Sequence, residues 1–358
     1  MQATEEDTPA ALGFRMPAEW EKHEAAWIGW PHNPTDWPGK LEPIHWVYGE
    51  IARKIAPGEL VRILVNSSAH EAKARSILKS CGVDMKRVEF FRFATNRGWT
   101  RDFGPIFVKR ARPRPGVVIA RFRFNAWARY PDWKKDDAIP EQVARRLKFR
   151  VFRARVGGRD VVLEGGSIDV NGQGTLLTTE ECLLSPVQAR NPGLKKEALE
   201  KLLGDVLGVR KVLWLGEGIV GDDTHGHVDD LSRFVDEGTV VTVVETKPDD
   251  ANYKPLQENL EILLSSRDQN GHPLRVVTLP MPAPVYFDGQ RLPASYANFY
   301  IANRLVIVPT FTDPQDRAAL NTIASLFPSR EVVGIPCRDL VLGLGTLHCM
   351  TQQQPAAK

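Results

Sequence analysis

One cysteine and one histidine in this chain have the side-chain types that nucleophilic catalysis needs. Cys349 follows a glycine-rich run in GLGTLHCMTQQQ, and His227 lies in THGHVDD. A thiolate can attack an electrophilic carbon while a histidine acts as acid and base. His348 adjoins Cys349, but neighbouring residues of a regular strand face opposite sides. We therefore expect His227 to serve the cysteine, and His348 to be a bystander.

Three carboxylates accompany this pair: Asp102 in WTRDFGPIFV, Glu164 in VVLEGGSIDV and Asp229 in THGHVDD. Asp229 lies two residues after His227, so in a strand the two side chains would share one face, with Asp230 turned away.

The carboxylates indicate what kind of substrate the cysteine serves. Negative charges raise the pKa of a nearby thiol, which opposes formation of the nucleophilic thiolate. A cationic substrate removes this conflict, because its own charge stabilises the thiolate. A planar guanidinium also pairs bidentately with carboxylates. The residue set therefore indicates chemistry on a small guanidine compound rather than peptide hydrolysis.

Each residue also has a structural interpretation that the sequence leaves open. Asp102 could form an ion pair with Arg101, Glu164 could close a turn before two glycines, and His227 could be a satisfied core histidine. Capping of a turn is the favoured interpretation for Asn298 in SYANFYIA.

Five helical patterns recur about 60 residues apart and indicate a repeated unit. They cover residues 69–81, 138–149, 194–207, 252–266 and 316–327. Apolar runs typical of strands follow them, at residues 88–93, 149–154, 211–215, 275–279 and 331–335. Hairpins come next, with NGQG and DEG as credible turns. The unit is therefore a helix, a strand and a hairpin.

The candidate residues fall near the start of the hairpins of successive units, in the order Asp102, Glu164, His227 with Asp229, Asn298 and Cys349. Equivalent positions of a radially repeated fold surround one axis, so these side chains would converge on one pocket. The alternative is an ordinary α/β protein whose elements are evenly spaced by chance.

The fifth unit stops one strand into its hairpin. Strand-like runs near the N-terminus, AAWIGWP (25–31) and LVRILVN (60–66), could supply the missing partner. Such closure leaves no open sheet edge, as in propellers. The expected fold is α/β, a five-bladed pseudo-symmetric α/β propeller forming one catalytic domain over residues 1–358. Only the final PAAK is expected to be a dispensable tail.

Composition narrows the function further. The 358 residues are 42% apolar and 25% charged, with a net charge of +3, as in ordinary soluble domains. This balance gives no reason to expect nucleic acid or a membrane surface as a partner. The acidic N-terminus lacks a secretory pattern, and the four cysteines lack metal-ligand spacing. The expected location is cytoplasmic, with free thiols and no metal.

Motifs spread over nearly the whole chain carry a resemblance to a known family. They are MPAEWEKHEAAWIGWPHN (16–33), DWPGK (36–40), WTRDFGPIFV (99–108), FNAW (124–127), LEGGSIDVNGQGTLLTTEECLLSP (163–186), RNP (190–192), GHVDD (226–230), PASYANFYIAN (293–303) and HCMTQQQP (348–355). Together they are highly specific. The chain closely resembles agmatine deiminases, within the peptidyl-arginine deiminase and guanidine-modifying superfamily.

The resemblance implies a five-bladed α/β propeller that hydrolyses agmatine to N-carbamoylputrescine and ammonia. This is a step of polyamine metabolism that needs no metal or organic cofactor, and a homodimer is plausible by the same resemblance. Matched residues take the family's roles: Cys349 as nucleophile, His227 as acid and base, Asp102 and Asp229 on the guanidinium, Glu164 on substrate and histidine, and Trp99 in the pocket wall. The intermediate would be a covalent thiouronium on the cysteine.

The chain departs from the family pattern beside these residues. An acidic stretch before the tryptophan is replaced by Asn96-Arg97-Gly98, and neighbours of the histidine and cysteine motifs also differ at His225, Leu344 and Thr346. Arg97 would repel the terminal ammonium of agmatine and attract a carboxylate if it faced the pocket. A solvent-facing or ion-paired Arg97 is at least as consistent with the sequence.

Three functions therefore compete. The first is an agmatine deiminase, and the second is a deiminase of free or peptidyl arginine on the same scaffold. The third is a catalytically silent propeller that binds guanidine ligands, against which the retained cysteine, histidine and acids argue.

Overall fold

A computed structural model describes residues 8–358, and residues 1–7, which carry the acidic N-terminal sequence, lie outside that range. The helices within it are α1 Leu41–Ile55, α2 Ser68–Ser80, α3 Thr100–Phe103, α4 Lys134–Asp137, α5 Ile139–Leu147, α6 Glu180–Leu184, α7 Lys196–Leu207, α8 Tyr253–Ser265 and α9 Gln315–Leu326. All five helical patterns of the sequence are confirmed, by α2, α5, α7, α8 and α9. Helix α1 was not anticipated, although it buries one apolar face against the first sheet.

The strands of the described residues form five larger sheets. In chain order these contain β1 His23–Gly29, β2 Leu60–Leu64 and β3 Val88–Phe91; β4 Ile106–Arg110, β5 Gly116–Arg121 and β6 Val151–Arg153; β9 Asp169–Val170, β10 Thr175–Thr179 and β11 Lys211–Leu215; β12 Ser232–Phe234, β13 Thr239–Val244 and β14 Arg275–Pro280; and β17 Tyr300–Ile301, β18 Leu305–Thr310 and β19 Glu331–Pro336. Small hairpins add β7 Arg155–Val156 with β8 Arg159–Asp160, and β15 Tyr286–Phe287 with β16 Gln290–Arg291. The last strand, β20 Thr351–Pro355, joins the first sheet.

Every larger sheet contains an antiparallel pair of strands followed by a parallel strand. In the first sheet, of order β20-β1-β2-β3, the antiparallel strand is β20, and β3 is an additional parallel strand. Helices lie between the two parallel strands, as parallel pairing requires of a crossover. The turns NGQG and DEG join β9 to β10 and β12 to β13. The helix, strand and hairpin unit expected from the sequence is confirmed.

The two ends of the chain meet in the first sheet. Strand β20 pairs antiparallel with β1, with Thr351 opposite Ile28 and Gln352 opposite Trp27. This confirms that N-terminal strands supply the partner that the fifth unit lacks.

The expected tail is shorter than predicted. Pro355 belongs to β20 and pairs with His23, and the backbone N–H of Ala356 donates to the carbonyl of Lys22 at 2.8 Å. Ala356 is buried, so only Ala357 and Lys358 are exposed at this end. The sequence pattern could not show this, because the final residues are ordered only by pairing with a distant strand.

The strands of these sheets are buried on both faces, which stabilises them. Val61, Ile63, Val241 and Val308 are fully buried, as expected for strands covered by helices on one side and packed inward on the other. This rigid framework places the turns that precede the first strand of each sheet. Among residues 8–358, no helix is long and apolar enough to cross a membrane.

Candidate active site

The side chains expected at the site stand in turns immediately before the first strand of a sheet. These turns place Asp102 in α3 before β4, Glu164 before β9, His227 and Asp229 before β12, Asn298 before β17 and Cys349 before β20. Because the five sheets share one topology, the structure brings these residues together although they are far apart in sequence.

Cys349 is buried among polar groups. Its Sγ accepts from Asn298 Nδ2 at 3.1 Å and lies 3.7 Å from Asp229 Oδ2. Burial, together with the carboxylates of Asp229, Asp230 and Asp102, raises the pKa of the thiol well above its ordinary value. The resting cysteine is therefore a thiol at neutral pH, as the carboxylate-rich sequence indicated.

Asn298 holds the turn that carries the cysteine. Its Oδ1 accepts from Thr346 Oγ1 at 2.7 Å and from the backbone N–H of His348 at 3.0 Å, and its Nδ2 reaches both Cys349 and Asp230 Oδ1. Asn298 thus caps a turn, as the sequence favoured, and the same amide also contacts the thiol.

His227 lies among three carboxylates. Its Nδ1 is 3.8 Å from Asp102 Oδ1 and 3.9 Å from Asp229 Oδ1, and its Nε2 is 3.7 Å from Glu164 Oε2. Burial opposes the charged ring, but Asp102, Cys182 and Glu164 outweigh it and raise the pKa of His227 well above its ordinary value. The imidazole is therefore held as a cation that can donate a proton.

Glu164 is fully buried and paired with Arg190, whose Nε lies 3.1 Å from Glu164 Oε1. Burial alone would raise the pKa of this carboxyl, but Arg190 and His227 lower it to about 2. Glu164 is therefore an anion throughout the physiological range, and its second oxygen, Oε2, has no hydrogen-bond partner.

Asp102 is held by two donors. Trp127 Nε1 donates to Oδ2 at 2.9 Å, and the backbone N–H of Gly166 donates to Oδ1 at 3.0 Å. Burial and the nearby anions Asp229 and Glu164 raise the pKa of Asp102 to about 7, against the effect of His227. This carboxyl therefore titrates near neutral pH.

The segment that presents Trp127 is strained. Ala126, Trp127 and Ala128 have φ values of 50°, 58° and 54°, in the left-handed region that residues with a Cβ rarely adopt. Such conformations cost about 1–3 kcal/mol each and persist where the surrounding structure imposes them. The indole donor on Asp102 is therefore set by the backbone of this turn.

His348 was expected to be a bystander, and that expectation is wrong. Its Nδ1 lies 2.6 Å from Asp229 Oδ2, and its Nε2 lies 2.8 Å from Glu19 Oε2. Glu19 is in turn paired with Arg101 at 3.1 Å and Arg233 at 3.0 Å. His348 therefore fixes the carboxylate that lies beside the thiol.

The strand argument for His227 and Asp229 is also wrong. Asp229 lies in a short 3₁₀ turn, Val228–Asp230, and not in a strand, so alternation of faces does not apply. Asp230, expected to point away, is buried and accepts from Asn298 Nδ2 at 2.9 Å. His348 and Cys349 likewise stand in a turn.

Several buried residues of the site were missed by sequence reasoning. They are Glu19, Arg101, Gly166, Trp127, Cys182, Arg190, Arg233 and His348. Most lie within the motifs that carry the family resemblance, such as RNP for Arg190 and FNAW for Trp127. That signal marked the segments without saying which side chains point inward.

A cavity of about 80 Å³ opens onto this cluster. Asp102 and Cys349 line its inner end, with Trp99 on its wall as the sequence expected. The indole of Trp99 packs on Trp37 with ring centroids 5.1 Å apart. A Cβ at Gly343 would come within 2.6 Å of Trp99, so this glycine permits the two rings to line the cavity.

Arg97 lines the cavity, but its charge is already paired. It forms an ion pair with Asp36, lies 3.3 Å from Asp132, and its guanidinium is 4.4 Å from the ring centroid of Tyr130. Burial raises the pKa of Asp36 to about 7 despite this arginine. Asp223, which accepts from the Tyr130 hydroxyl at 2.5 Å, also lines the cavity. Acidic groups therefore outnumber the one arginine at this entrance.

Buried polar atoms without hydrogen-bond partners surround His227. Two carboxylate oxygens, Asp229 Oδ1 and Glu164 Oε2, and both ring nitrogens of His227 lack such partners. Buried polar groups are normally paired, so such a cluster indicates a place for a ligand with several donors. A planar guanidinium offers five N–H donors in a fixed fork and no acceptor.

Comparisons with known proteins agree with this geometry. The family model of Porphyromonas-type peptidyl-arginine deiminases matches residues 15–355. An agmatine deiminase of Pseudomonas aeruginosa is 39% identical over 98% of this chain and 98% of its own length. The structure of the Enterococcus faecalis agmatine deiminase has a TM-score of 0.90 at 33% identity, covering 100% of this chain and 99% of the other.

A substrate-bound agmatine deiminase of C. jejuni, carrying a cysteine-to-serine substitution, is also similar. It has a TM-score of 0.83 at 30% identity and covers 95% of this chain and 96% of its own.

Proposed function

The chain belongs to the Porphyromonas-type peptidyl-arginine deiminase family, and we propose that it is an agmatine deiminase, which hydrolyses agmatine to N-carbamoylputrescine and ammonia. The observation that carries this proposal is the pair of buried, unpartnered carboxylate oxygens of Asp229 and Glu164 beside His227, with Cys349 next to Asp229. A guanidinium satisfies them and supplies the positive charge that the thiol of Cys349 otherwise lacks.

Binding prepares the nucleophile. The guanidinium pairs with Asp229, Asp102 and Glu164, and the thiol of Cys349 loses its proton to solvent as the cation arrives beside it. Asn298 Nδ2, 3.1 Å from the sulfur, stabilises the resulting thiolate by hydrogen bonding. The positioning of carbon and sulfur replaces a bimolecular encounter by a reaction within the complex.

The first chemical step forms the C–S bond and breaks a C–N bond. The thiolate attacks the guanidinium carbon, and protonated His227 donates its proton to the departing amino group, which leaves as ammonia. The product is a thiouronium on Cys349, and its positive charge is held by the same carboxylates.

Water completes the reaction. His227, now neutral, removes a proton from a water molecule that adds to the thiouronium carbon. Collapse of the adduct forms the ureido carbonyl, breaks the C–S bond and returns a proton to the cysteine. Glu164, anionic beside His227, stabilises the imidazolium in both steps.

The entrance of the cavity favours a substrate with a cationic tail. Arg97 is neutralised by Asp36 and Asp132, while Asp223 adds a further carboxylate. The terminal ammonium of agmatine fits this charge better than the carboxylate of arginine. Asp36→Asn should therefore raise KM for agmatine more than Arg97→Lys does.

A deiminase of free or peptidyl arginine is the second candidate, because Arg97 does line the cavity. Kinetics on agmatine, arginine and an arginine-ending peptide separate the two. Two results together would favour the second candidate: wild-type activity on arginine exceeds that on agmatine, and Arg97→Asp loses activity on arginine.

The central experiment measures ammonia and ureido product over this panel for the wild-type enzyme and Cys349→Ala. We expect agmatine to be the best substrate and the variant to lose at least ~10³-fold in kcat. A matched Cys337→Ala variant, altered at a buried cysteine outside the site, should retain turnover. Normal ammonia release by Cys349→Ala would exclude the covalent mechanism.

We also propose a closed five-bladed α/β propeller forming one catalytic domain. Support comes from the five sheets of equal topology and from the pairing of β20 with β1. The four cysteines are free, which supports a reducing, cytoplasmic location. A homodimer is proposed on the prevalence of such symmetry among enzymes, and sedimentation velocity tests it.

A further inference from the structure

A second thiol lies beside the catalytic histidine and takes no part in the proposed reaction. The ligand atoms of Cys182, His227 and Glu164 all lie within 4.8 Å of one another, and all three residues are buried. Cys182 is 1% exposed. Sulfur, imidazole nitrogen and carboxylate oxygen together are the donor types that zinc takes in proteins.

Local structure fixes Cys182 in this place. It lies in α6, where its backbone N–H donates to Thr179 Oγ1 at 3.1 Å in an N-cap. The same hydroxyl donates to the carbonyl of Gly226 at 2.5 Å. The first turn of α6 is therefore tied to the residue before His227, which holds the backbone of Cys182 beside the histidine.

The other two donor atoms are unused by the protein. His227 Nε2 and Glu164 Oε2 are buried without hydrogen-bond partners and lie 3.7 Å apart. In a tetrahedral zinc site with bonds of about 2.0–2.3 Å, neighbouring ligand atoms lie about 3.5 Å apart. The nitrogen and oxygen already have this spacing, so only small side-chain adjustments complete a three-ligand site.

The surroundings support such a site. Arg190 binds the other oxygen of Glu164 at 3.1 Å and so orients Oε2 toward His227, as outer donors do for metal-binding carboxylates. Asp102 and Asp229 add negative charge on the other side of the ring, with carboxylate oxygens 3.8 Å and 3.9 Å from His227 Nδ1.

We propose that Cys182, His227 and Glu164 bind Zn²⁺, or another thiophilic divalent ion, in a site that overlaps the catalytic centre and stops turnover when occupied. Binding forms an S–Zn bond at Cys182 and releases the thiol proton to solvent. His227 coordinates through Nε2 after losing its proton from that atom, and no electrons are transferred. The histidine can then neither protonate ammonia nor activate water, and a chelator restores both functions.

The binding test uses a protein that lacks the nucleophilic thiol, so that Cys349 cannot contribute. Co²⁺ is titrated into the Cys349→Ala protein, and the thiolate-to-cobalt charge-transfer band is recorded. We expect one equivalent to produce the band, and Zn²⁺ to displace it. Cys349→Ala/Cys182→Ser should lose the band, whereas Cys349→Ala/Cys337→Ser should keep it. A band that survives in the Cys182→Ser protein would overturn the proposal.

Because this readout needs no turnover, its failure is distinct from a failure of the proposed deiminase activity. If Cys182→Ser does not fold, Cys182→Ala serves in its place, and ¹¹³Cd resonance of the Cys349→Ala protein reports the ligands without altering Cys182. A cadmium shift typical of one sulfur ligand supports the site; a shift typical of oxygen and nitrogen alone contradicts it.

The activity test follows on the otherwise native enzyme. We expect the zinc concentration that halves agmatine hydrolysis to rise at least tenfold in Cys182→Ser relative to Cys337→Ser, each normalised to its own rate in chelator. An unchanged zinc sensitivity would show that inhibition, if any, acts through Cys349 and would refute the inhibitory part of the proposal.

Discussion

At the residue scale, the thiol of Cys349 is the group whose charge state depends most on its surroundings. Burial and three carboxylates raise its pKa, and Asn298 is the side chain that donates to the sulfur. Cys349 therefore rests as a thiol, and in the proposed mechanism it becomes reactive when a cation enters. This distinguishes it from cysteine enzymes in which a protein cation keeps the thiolate formed at rest.

We predict that alkylation of Cys349 by iodoacetamide is slow at pH 7 and accelerates about tenfold per pH unit up to pH 9, because only the thiolate reacts. Removal of a negative charge lowers a raised thiol pKa, so Asp229→Asn should react faster than wild type at pH 8. Mass spectrometry of the Cys349 peptide measures both rates.

Asp249→Asn, at an exposed site elsewhere, is the matched control and should follow the wild-type profile. Fast alkylation of wild type at pH 7, with no change in Asp229→Asn, would contradict this account of the thiol.

His348 acts through another residue. Its ring holds Asp229 Oδ2 at 2.6 Å, and that carboxylate lies beside both the sulfur and His227. A misplacement of about 1 Å can lower a rate by about 10²-fold. We therefore expect His348→Ala to lower kcat/KM for agmatine by ~10²-fold while the protein remains folded.

If His348 had only a structural role, restoring one hydrogen-bond donor to Asp229 would not restore kcat/KM. His348→Asn keeps an N–H donor near the position of Nδ1 and should recover part of kcat/KM, whereas the exposed control His272→Ala should match wild type. Equal kcat/KM for His348→Ala and wild type would remove His348 from the site.

At the element scale, the short turns before each first strand do the positioning. The turn Gly165–Ser167 shows how closely these side chains pack against the backbone. A Cβ at Gly166 would lie 2.7 Å from His227 Nδ1 and 2.8 Å from Asp102 Oδ1. Real Cβ atoms do not approach so closely. The backbone of this turn therefore packs directly against the side chains of His227 and Asp102.

We predict that Gly166→Ala lowers kcat for agmatine by at least ~10²-fold, because His227 and Asp102 must move apart. Gly238→Ala is the matched control, since a Cβ there meets nothing within 4 Å. Steady-state kinetics with a thermal melt of each variant checks this. A Gly166→Ala enzyme with wild-type kcat would show that the turn adapts without cost to catalysis.

At the scale of the whole molecule, the last strand joins the two ends of the chain. Gln352 and Gln353 are buried, and the Arg101 guanidinium donates to Gln353 Oε1 at 2.6 Å. The glutamines after the cysteine therefore anchor its turn to the first sheet and to the segment beside Asp102. The pairing of the two chain ends and the position of Cys349 depend on the same strand.

We predict that a chain ending at Ala356 melts like wild type, whereas a chain ending at Gln354 melts at a lower temperature. The shorter chain loses the pairing of Pro355 with His23 and the hydrogen bond of Ala356, and each kcal/mol lost lowers Tm of a large domain by about 2–4 °C or less. Calorimetry measures Tm of both chains. Identical values would mean that Pro355 and Ala356 do not contribute to the stability of the fold.

Much of the fold could be predicted because its helices and strands follow from local sequence patterns. Helices α2, α5, α7, α8 and α9 and the strands after them follow from apolar periodicity, which the chain shows segment by segment. The incomplete fifth unit also indicated that an N-terminal strand, at 25–31 or 60–66, could pair with the end of the chain, and β1 is that partner. Helix α1 was missed because it lies outside the repeat of about 60 residues. The ordered position of Pro355 was missed because only its pairing with a distant strand holds it.

The sequence by itself determined the chemistry of this protein: one cysteine and one histidine with several carboxylates, and motifs specific to a deiminase family. Only the tertiary structure decided which side chains face one another. Strand alternation mispredicted His348 and Asp230 because both stand in turns, where successive side chains do not alternate. Contacts between segments that are apart in sequence likewise paired the charge of Arg97 and placed Cys182 beside His227, since such contacts exist only once the sheets are assembled.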